Sequence, residues 1–438
     1  MRLAGRCCST RPTVLLTTSA LATVLAAALM RRRPPATDEM ACTRVKSGPI
    51  FAGGGETFSV VVDNPPAEHW EGALASPALA VSLDDPAVLV ASNDRCHSPD
   101  TQVHRSQDGG RSWAQVAEMK NQYWSSLFFH RGALYMLGTS KEYGDVHIRR
   151  SDDLGTTWTS PTDDYSGKLS EGEKWHCAPM PVVSHNGRLW RCFEEFPSGS
   201  WALSFKAVVW SAAEDSDLLA RSSWTVSDRL TYPYMNPLTG MGWLEGNMCV
   251  DHKNDKVVAL LRVHGLADGK AAIVNVSDDG HELSHLGDIS FPGGAKKFLI
   301  RYDTESKRYV AIANVLVVGG RLRLALNPIQ VCKQQGMRRR NAVGLLSSTD
   351  LLNWRVNKVL IYNRSPTIGF QYADFAISGD DILAVFRTAL KTKTHEPAHA
   401  MAACMMTFHR VTGFRDYLND TLSYGDHIEP TPIAEPGA

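Results

Sequence analysis

Three histidines, one carboxylate beside a tryptophan and a series of polar strand ends are the residues best placed to do chemistry. His97 and His264 lie near strand ends, and His176 sits in the segment Lys174-Trp-His176-Cys-Ala-Pro179. An imidazole exchanges protons near neutral pH, which suits it to acid/base work. Glu245 follows Trp243-Leu244, and a carboxylate in so apolar a setting needs a partner. His395 and His399 have the i, i+4 spacing of metal ligands, but the segment reads as a loop, so no metal site is assigned and no cofactor is implied. Beyond residue 40, Cys42, Cys96, Cys177, Cys192, Cys249, Cys332 and Cys404 form no CxxC pair, which argues against a zinc ribbon or a thioredoxin-like centre. One or two disulfides are expected if the compartment is oxidising.

The elements that must position these residues recur along the chain. Ser106-Gln-Asp108-Gly-Gly110-Arg-Ser112-Trp113 and Ser151-Asp-Asp153-Leu-Gly155-Thr-Thr157-Trp158 both read S-x-D-x-G-x-[ST]-W. Looser copies start at Ser277 and Ser348. Ser and Asp side chains bond a turn backbone, Gly takes a positive φ, and Trp packs between sheets, so each copy suits a hairpin turn. Short apolar strands ending in a polar residue alternate with these turns, at Ala87–Asp94, Ala133–Thr139, Leu189–Glu194, Val257–Arg262, Tyr309–Asn314 and Ile382–Arg387. No stretch beyond residue 40 shows a helical period. The pattern predicts an all-β chain, a six-bladed β-propeller of four-stranded sheets. Asp94, Thr139, Glu194, Arg262, Asn314 and Arg387 then fall on one ring around a central funnel.

The 438 residues hold 46 Lys+Arg and 46 Asp+Glu, a balance that gives no sign of a nucleic-acid or membrane-surface partner. The N-terminal 37 residues contain no acid, and an apolar run over 12–30 lies between arginines. That run predicts targeting to the secretory pathway, as a cleaved signal or as a membrane anchor, with an organelle transit peptide as the other reading. The expected organisation is a leader over 1–40, the propeller over 45–425 and a flexible tail over 426–438, in a monomer.

The S-x-D-x-G-x-[ST]-W turns resemble the Asp boxes of the sialidase superfamily over roughly residues 70–410. The resemblance implies a Tyr nucleophile activated by a Glu, an Asp acid/base and an arginine clamp on the sugar carboxylate. Leu244-Glu245-Gly246-Asn247 and Val257–Arg262 are similar to the segment with the activating Glu and the second arginine. Arg340, eight residues before Ser348, matches the third. Gly369-Phe-Gln-Tyr372-Ala-Asp374 resembles the nucleophile segment, and Asp100 is the match for the acid/base. The family's first arginine, in an Arg-Ile-Pro triplet, is replaced by Ala75-Ser76-Pro77; Arg95, Arg191 and Arg387 are the available substitutes, with Arg387 best placed. The expected substrate is a glycan with an acidic sugar. Asp100, Glu245 and Tyr372 are then catalytic, and Glu194, Asn247, Arg262, Arg340 and Arg387 bind substrate. Polysaccharide lyases on related propellers supply a rival chemistry, in which His176 or His264 abstracts the proton beside a uronate carboxylate and Tyr372 acts as acid. A lectin-like propeller without activity is the third reading.

Overall fold

In the computed structural model the repeated turns close on themselves through their own side chains. Ser106 Oγ accepts from the Gly110 amide at 2.9 Å, and Asp108 accepts from Ser112 N at 2.8 Å. The second copy repeats both bonds, Gly155 N to Ser151 and Thr157 N to Asp153, at 2.9 and 2.8 Å. The indole N–H groups of Trp113, Trp158 and Trp354 each donate to a carbonyl three residues earlier. Gly110, at φ +90°, lies against Phe408 of another sheet so closely that a Cβ would stand 2.2 Å from its ring. The turns therefore wedge neighbouring sheets together as well as reversing the chain.

The structure describes residues 52–53, 56–63, 73–96, 98–236, 241–265, 269–324, 339–391, 397 and 399–431. They form six blades. Blade one is Leu74–Val81, Leu89–Arg95, Ser98–Ser106 and Ala114–Lys120. Blade two has three strands, Tyr123–His130, Ala133–Thr139 and Val146–Ser151. Blade three is built on Arg188–Glu195, Lys206–Ala213 and Trp224–Val226. Its inner strand is split into Trp175–His176 and Val183–His185, because Pro179 and Pro181 cannot donate to a ladder. Blade four is Gly242–Asp251, Lys256–His264, Lys270–Val276 and Leu283–Ser290. Blade five is Phe298–Asp303, Arg308–Ala313, Ala342–Ser348 and Arg355–Tyr362. Blade six takes Gly369–Ser378, Asp381–Ala389 and Met405–Val411, and its outer strand, Glu56–Asp63, comes from before blade one. This joins the two ends of the ring. Aliphatic and aromatic side chains fill the space between successive blades.

The inner strands of blades one, two, four and six share one irregularity. A β-bulge interrupts pairing after Ala75, Tyr123, Leu244 and Gln371. The residue that follows is left-handed each time: Ser76, Trp124, Glu245 and Tyr372 have φ between 49° and 57°. Non-glycine residues hold such angles only where the surroundings impose them, and a bulge re-aims its side chain. The strand-two ends keep the same register: Asp94 faces Ala75, Thr139 faces Tyr123, Glu194 faces His176, Arg262 faces Leu244, and Arg387 faces Gln371.

Two expectations change. Cys96, Cys177, Cys192, Cys249 and Cys404, the cysteines among the described residues, are all free thiols, four of them packed in the interior. Within the tail expected over 426–438, two described residues are tied to the propeller: Ile428 N donates to Gly320 O and Thr431 N to Tyr362 O. The apolar run at 12–30 lies outside the described residues. Among the described ones, no helix is long and apolar enough to cross a membrane.

Candidate active site

Glu245 and Tyr372 are bulge residues of blades four and six, and they meet. The Tyr372 hydroxyl donates to Glu245 Oε1 at 2.9 Å, while Arg262 Nη1 donates to Glu245 Oε2 at 2.7 Å. Arg262 is itself fixed by Ala295 O at 2.9 Å and by His264 Nδ1 at 3.3 Å. Both ends of the ion pair are buried, at 2% and 4% side-chain exposure. Burial alone would raise the Glu245 pKa, but the charge and hydrogen bond of Arg262 outweigh it and hold the carboxylate below its ordinary range. Burial and the Glu245 charge push the Tyr372 phenol up, against the opposing pull of Arg262, Arg340 and Arg387. The resting pair is thus a neutral phenol donating to a carboxylate. A base that is already ionised stands in hydrogen-bond reach of a weak nucleophile, the arrangement that activates one.

The arginines surround the phenol. The guanidinium carbons of Arg340 and Arg387 stand 5.8 and 5.5 Å from the Tyr372 ring centroid. Arg387 Nη2 donates to Met401 O at 2.9 Å. Arg340 is 5% exposed, yet its Nε and Nη1 have no acceptor among the described residues. Burial, then the charge of Arg262, lowers its pKa to about 10. Three cations against one carboxylate leave this end of the funnel positive, with donors in hand.

The histidines occupy the other side. His176 Nδ1 is 2.7 Å from Glu194 Oε2, and Glu194 Oε1 also accepts from the amide of Gly246 at 3.4 Å. One carboxylate therefore ties His176 to the bulge that carries Glu245. Aromatic rings enclose the imidazole: Phe205 at 4.5 Å, Trp124 at 4.7 Å and Tyr143 at 6.1 Å between centroids. Trp201, 42% exposed, stands edge-on to His176 and to His264. Burial and then Arg262 bring the His264 pKa down to about 3, so it stays neutral beside the ion pair.

The structure therefore gathers Glu245, Tyr372, Arg262, Arg340 and Arg387, with His176, Glu194 and His264 alongside. Other assignments change. Asp100 stands outside the cluster, with Ser98 and Lys120 as partners, the lysine at 2.7 Å on the outer strand. Asn247, expected to bind substrate, has its side chain engaged within the fold: its Oδ1 accepts from Ile300 N and its Nδ2 donates to Phe298 O, clasping blades four and five. Glu194 has 0% exposure, and its two oxygens are taken up by His176 Nδ1 and the Gly246 amide. Asn314 is likewise spent on the carbonyls of Ala342 and Phe370. Arg191, a candidate for the missing clamp arginine, is sealed with 0% exposure and donates to Ala178 O and Cys192 O. His97 and His395 lie outside the described residues, and no group of three or more potential ligands gathers among the described ones.

Sequence reasoning did not single out Ser76, Trp124, Tyr143 and Trp201. A signal existed for the first two. Glu245 and Tyr372 precede the polar ends of their blades by much the same interval as Ser76 precedes Asp94 and Trp124 precedes Thr139.

No protein-family model matches the sequence, and neither does any curated protein. Solved structures do. An α-L-arabinofuranosidase of Fusarium graminearum with an iminosugar inhibitor superposes with a TM-score of 0.54 at 12% identity, over 83% of this chain and 99% of that one. Its complex with arabinobiose gives 0.52 at 12%, over 83% and 99%. A Trypanosoma rangeli sialidase with the inhibitor DANA gives 0.51 at 11%, covering 83% of this chain and 61% of the other. These likenesses establish the fold alone.

Proposed function

We propose that the chain is a glycoside hydrolase that releases an acidic sugar, with Tyr372 as nucleophile and Glu245 as its base. The observation that carries this reading is the 2.9 Å bond from the Tyr372 hydroxyl to a carboxylate already ion-paired with Arg262. Tyrosine suits an anomeric carbon that bears a carboxylate, because a neutral phenol meets less repulsion there than Asp or Glu would. As the phenolic oxygen attacks, its proton passes to Glu245, and the neighbouring arginines stabilise the developing negative charge. The glycosyl–tyrosine intermediate is then hydrolysed, and two displacements return the original anomeric configuration.

The acidic substrate is inferred from Arg340 and Arg387. Arg340 Nε and Nη1, buried and without acceptors among the described residues, match a carboxylate, which can accept two parallel hydrogen bonds from a guanidinium fork, and Arg387 stands beside the same Tyr372 ring. Arg387 stands in for the arginine absent at Ala75-Ser76, and the two solved-structure glycosidases with bound sugars or inhibitors support a glycan ligand in general. The reading is tested by incubating the enzyme with 4-methylumbelliferyl glycosides of N-acetylneuraminic acid, glucuronic acid and arabinofuranose. Release from an acidic glycoside, and its loss in Tyr372→Phe, is the expected result. Turnover of the arabinoside alone would overturn the acidic-sugar assignment. A uronate lyase would draw on the same arginines and on the His176–Glu194 pair; a new unsaturated-uronate absorbance from a polyuronate, without hydrolysis, would favour it.

A further inference from the structure

Among the described residues, the cluster around Tyr372 contains a nucleophile, a base and cations, but no carboxyl group with a free, accessible oxygen placed to protonate a leaving oxygen. Glu245 already has Arg262 and Tyr372. Asp100 is held by Lys120, and Glu194 has 0% exposure. Asp94 is 1% exposed and already accepts from Thr101 Oγ1 and Trp124 N, at 2.6 and 2.7 Å. Glu142 accepts from the Tyr123 hydroxyl at 3.1 Å. The imidazole of His176 is different. Its Nδ1 is engaged by Glu194, its Nε2 has no hydrogen-bond partner among the described residues, and the side chain keeps 6% exposure.

We propose that His176 is the proton-transfer residue of this site, and the proposal rests on the glycosidase reading above. Glu194 fixes the tautomer, with the proton on Nδ1, and stabilises the imidazolium when Nε2 is also protonated. Because Glu194 bonds the Gly246 amide as well, it sets the position of Nε2 relative to the Glu245 bulge. Trp124, Tyr143 and Trp201 frame the imidazole with apolar faces, a surface suited to a leaving group.

The steps balance as follows. In the first displacement the Tyr372 oxygen bonds to the anomeric carbon and gives its proton to Glu245. The bond from that carbon to the aglycone oxygen breaks, its electron pair stays on the oxygen, and the oxygen takes the Nε2 proton of His176. The aglycone leaves as an alcohol, with His176 neutral and Glu245 protonated. In the second, His176 Nε2 takes a proton from water as the water oxygen bonds to the anomeric carbon. The bond to Tyr372 breaks, and the phenolate recovers its proton from Glu245. Activity then requires a proton on His176 Nε2 and has an alkaline limb. The titratable groups set against the imidazole are Glu194 from its own blade, Tyr143 from blade two and Glu245 from blade four.

The test compares two α-ketosides of N-acetylneuraminic acid, one with 4-methylumbelliferone and one with methanol as leaving group. His176→Asn keeps a donor for Glu194 while removing Nε2. The loss of turnover on the methyl ketoside should exceed that on the methylumbelliferyl ketoside by about 100-fold or more, and the alkaline limb of the pH profile should disappear. Equal losses on both substrates, with the alkaline limb kept, would assign His176 a purely structural role and overturn the proposal. Should neither His176→Asn nor His176→Gln fold, wild-type rates across aryl aglycones of rising pKa decide the matter. A weak dependence below the alkaline limb and a steep one above it is expected, whereas equal steepness at both pH values overturns it. Wild type that turns over no acidic glycoside defeats the glycosidase reading and this proposal with it; turnover with an unchanged His176 variant defeats this proposal alone.

Discussion

At the scale of single residues, function and stability pull against each other at Arg340. Its guanidinium is 5% exposed, beside two other arginines, with Nε and Nη1 lacking acceptors. An unsatisfied buried charge is destabilising, and a well-packed apolar side chain in its place is often neutral or stabilising. Arg340→Met should therefore leave the melting temperature unchanged or raised. Under the acidic-sugar reading proposed above, the same change removes a charge-assisted contact to the sugar carboxylate, about 1.5–3 kcal/mol, so kcat/KM should fall roughly ten- to a hundred-fold. Thermal melts and steady-state kinetics on one preparation check both halves; a melting temperature several degrees lower would show that Arg340 holds the fold. Glu245 behaves in the opposite way, because removing it leaves Arg262 as an uncompensated buried charge. That Glu245, Tyr372, Arg262 and Arg340 come together was legible in the sequence through their resemblance to a known segment order. Asp100 was not, because spacing before a turn does not say which side of a strand a residue faces.

Elements explain how residues so far apart in sequence converge. The four bulges put Ser76, Trp124, Glu245 and Tyr372 in left-handed backbone at one level of the ring. None of the four is a glycine, so no sequence signal for positive φ marks them. The clasp between blades one and two depends on such a bulge: Asp94 accepts from the Trp124 amide and from Thr101. Burial, only partly offset by those bonds, pushes the Asp94 pKa from 3.8 up to about 7. The folded state then binds the Asp94 proton more tightly than the unfolded chain does. This contribution to stability is full below pH 3.8 and is lost as pH rises toward 7. Asp94→Asn, which cannot ionise, should gain stability relative to wild type between pH 5 and pH 8. Denaturant unfolding at the two pH values measures this, and a constant difference between the proteins would contradict it.

At the scale of the whole molecule, six blades share one axis and contribute unequally to what faces it. Blades four and six supply the Tyr372–Glu245–Arg262 set with Arg387, the segment leading into the third strand of blade five supplies Arg340, and blade three supplies His176. Blade one contributes Ser76 and Asp94, whose side chains are hydrogen-bonded to each other. The architecture was legible because the Ser–Asp–Gly–Trp turns combine side-chain bonding, positive φ and inter-blade packing in eight residues. The third blade's split inner strand and the second blade's three strands were less so, since prolines and a short turn carry no count of strands. Because the ring closes through Glu56–Asp63, the spacing of its inner strands is fixed before any ligand arrives.

The central claim is that Tyr372 forms a covalent bond to an acidic sugar. A 2,3-difluorinated N-acetylneuraminic acid, whose second fluorine slows the hydrolysis step, allows that bond to be seen by peptide mass spectrometry. The account predicts a mass increase of one fluorosialyl group on the peptide containing Tyr372, absent in Tyr372→Phe. An enzyme that hydrolyses sialosides while Tyr372 remains unlabelled, or whose label lies on another residue, would contradict it.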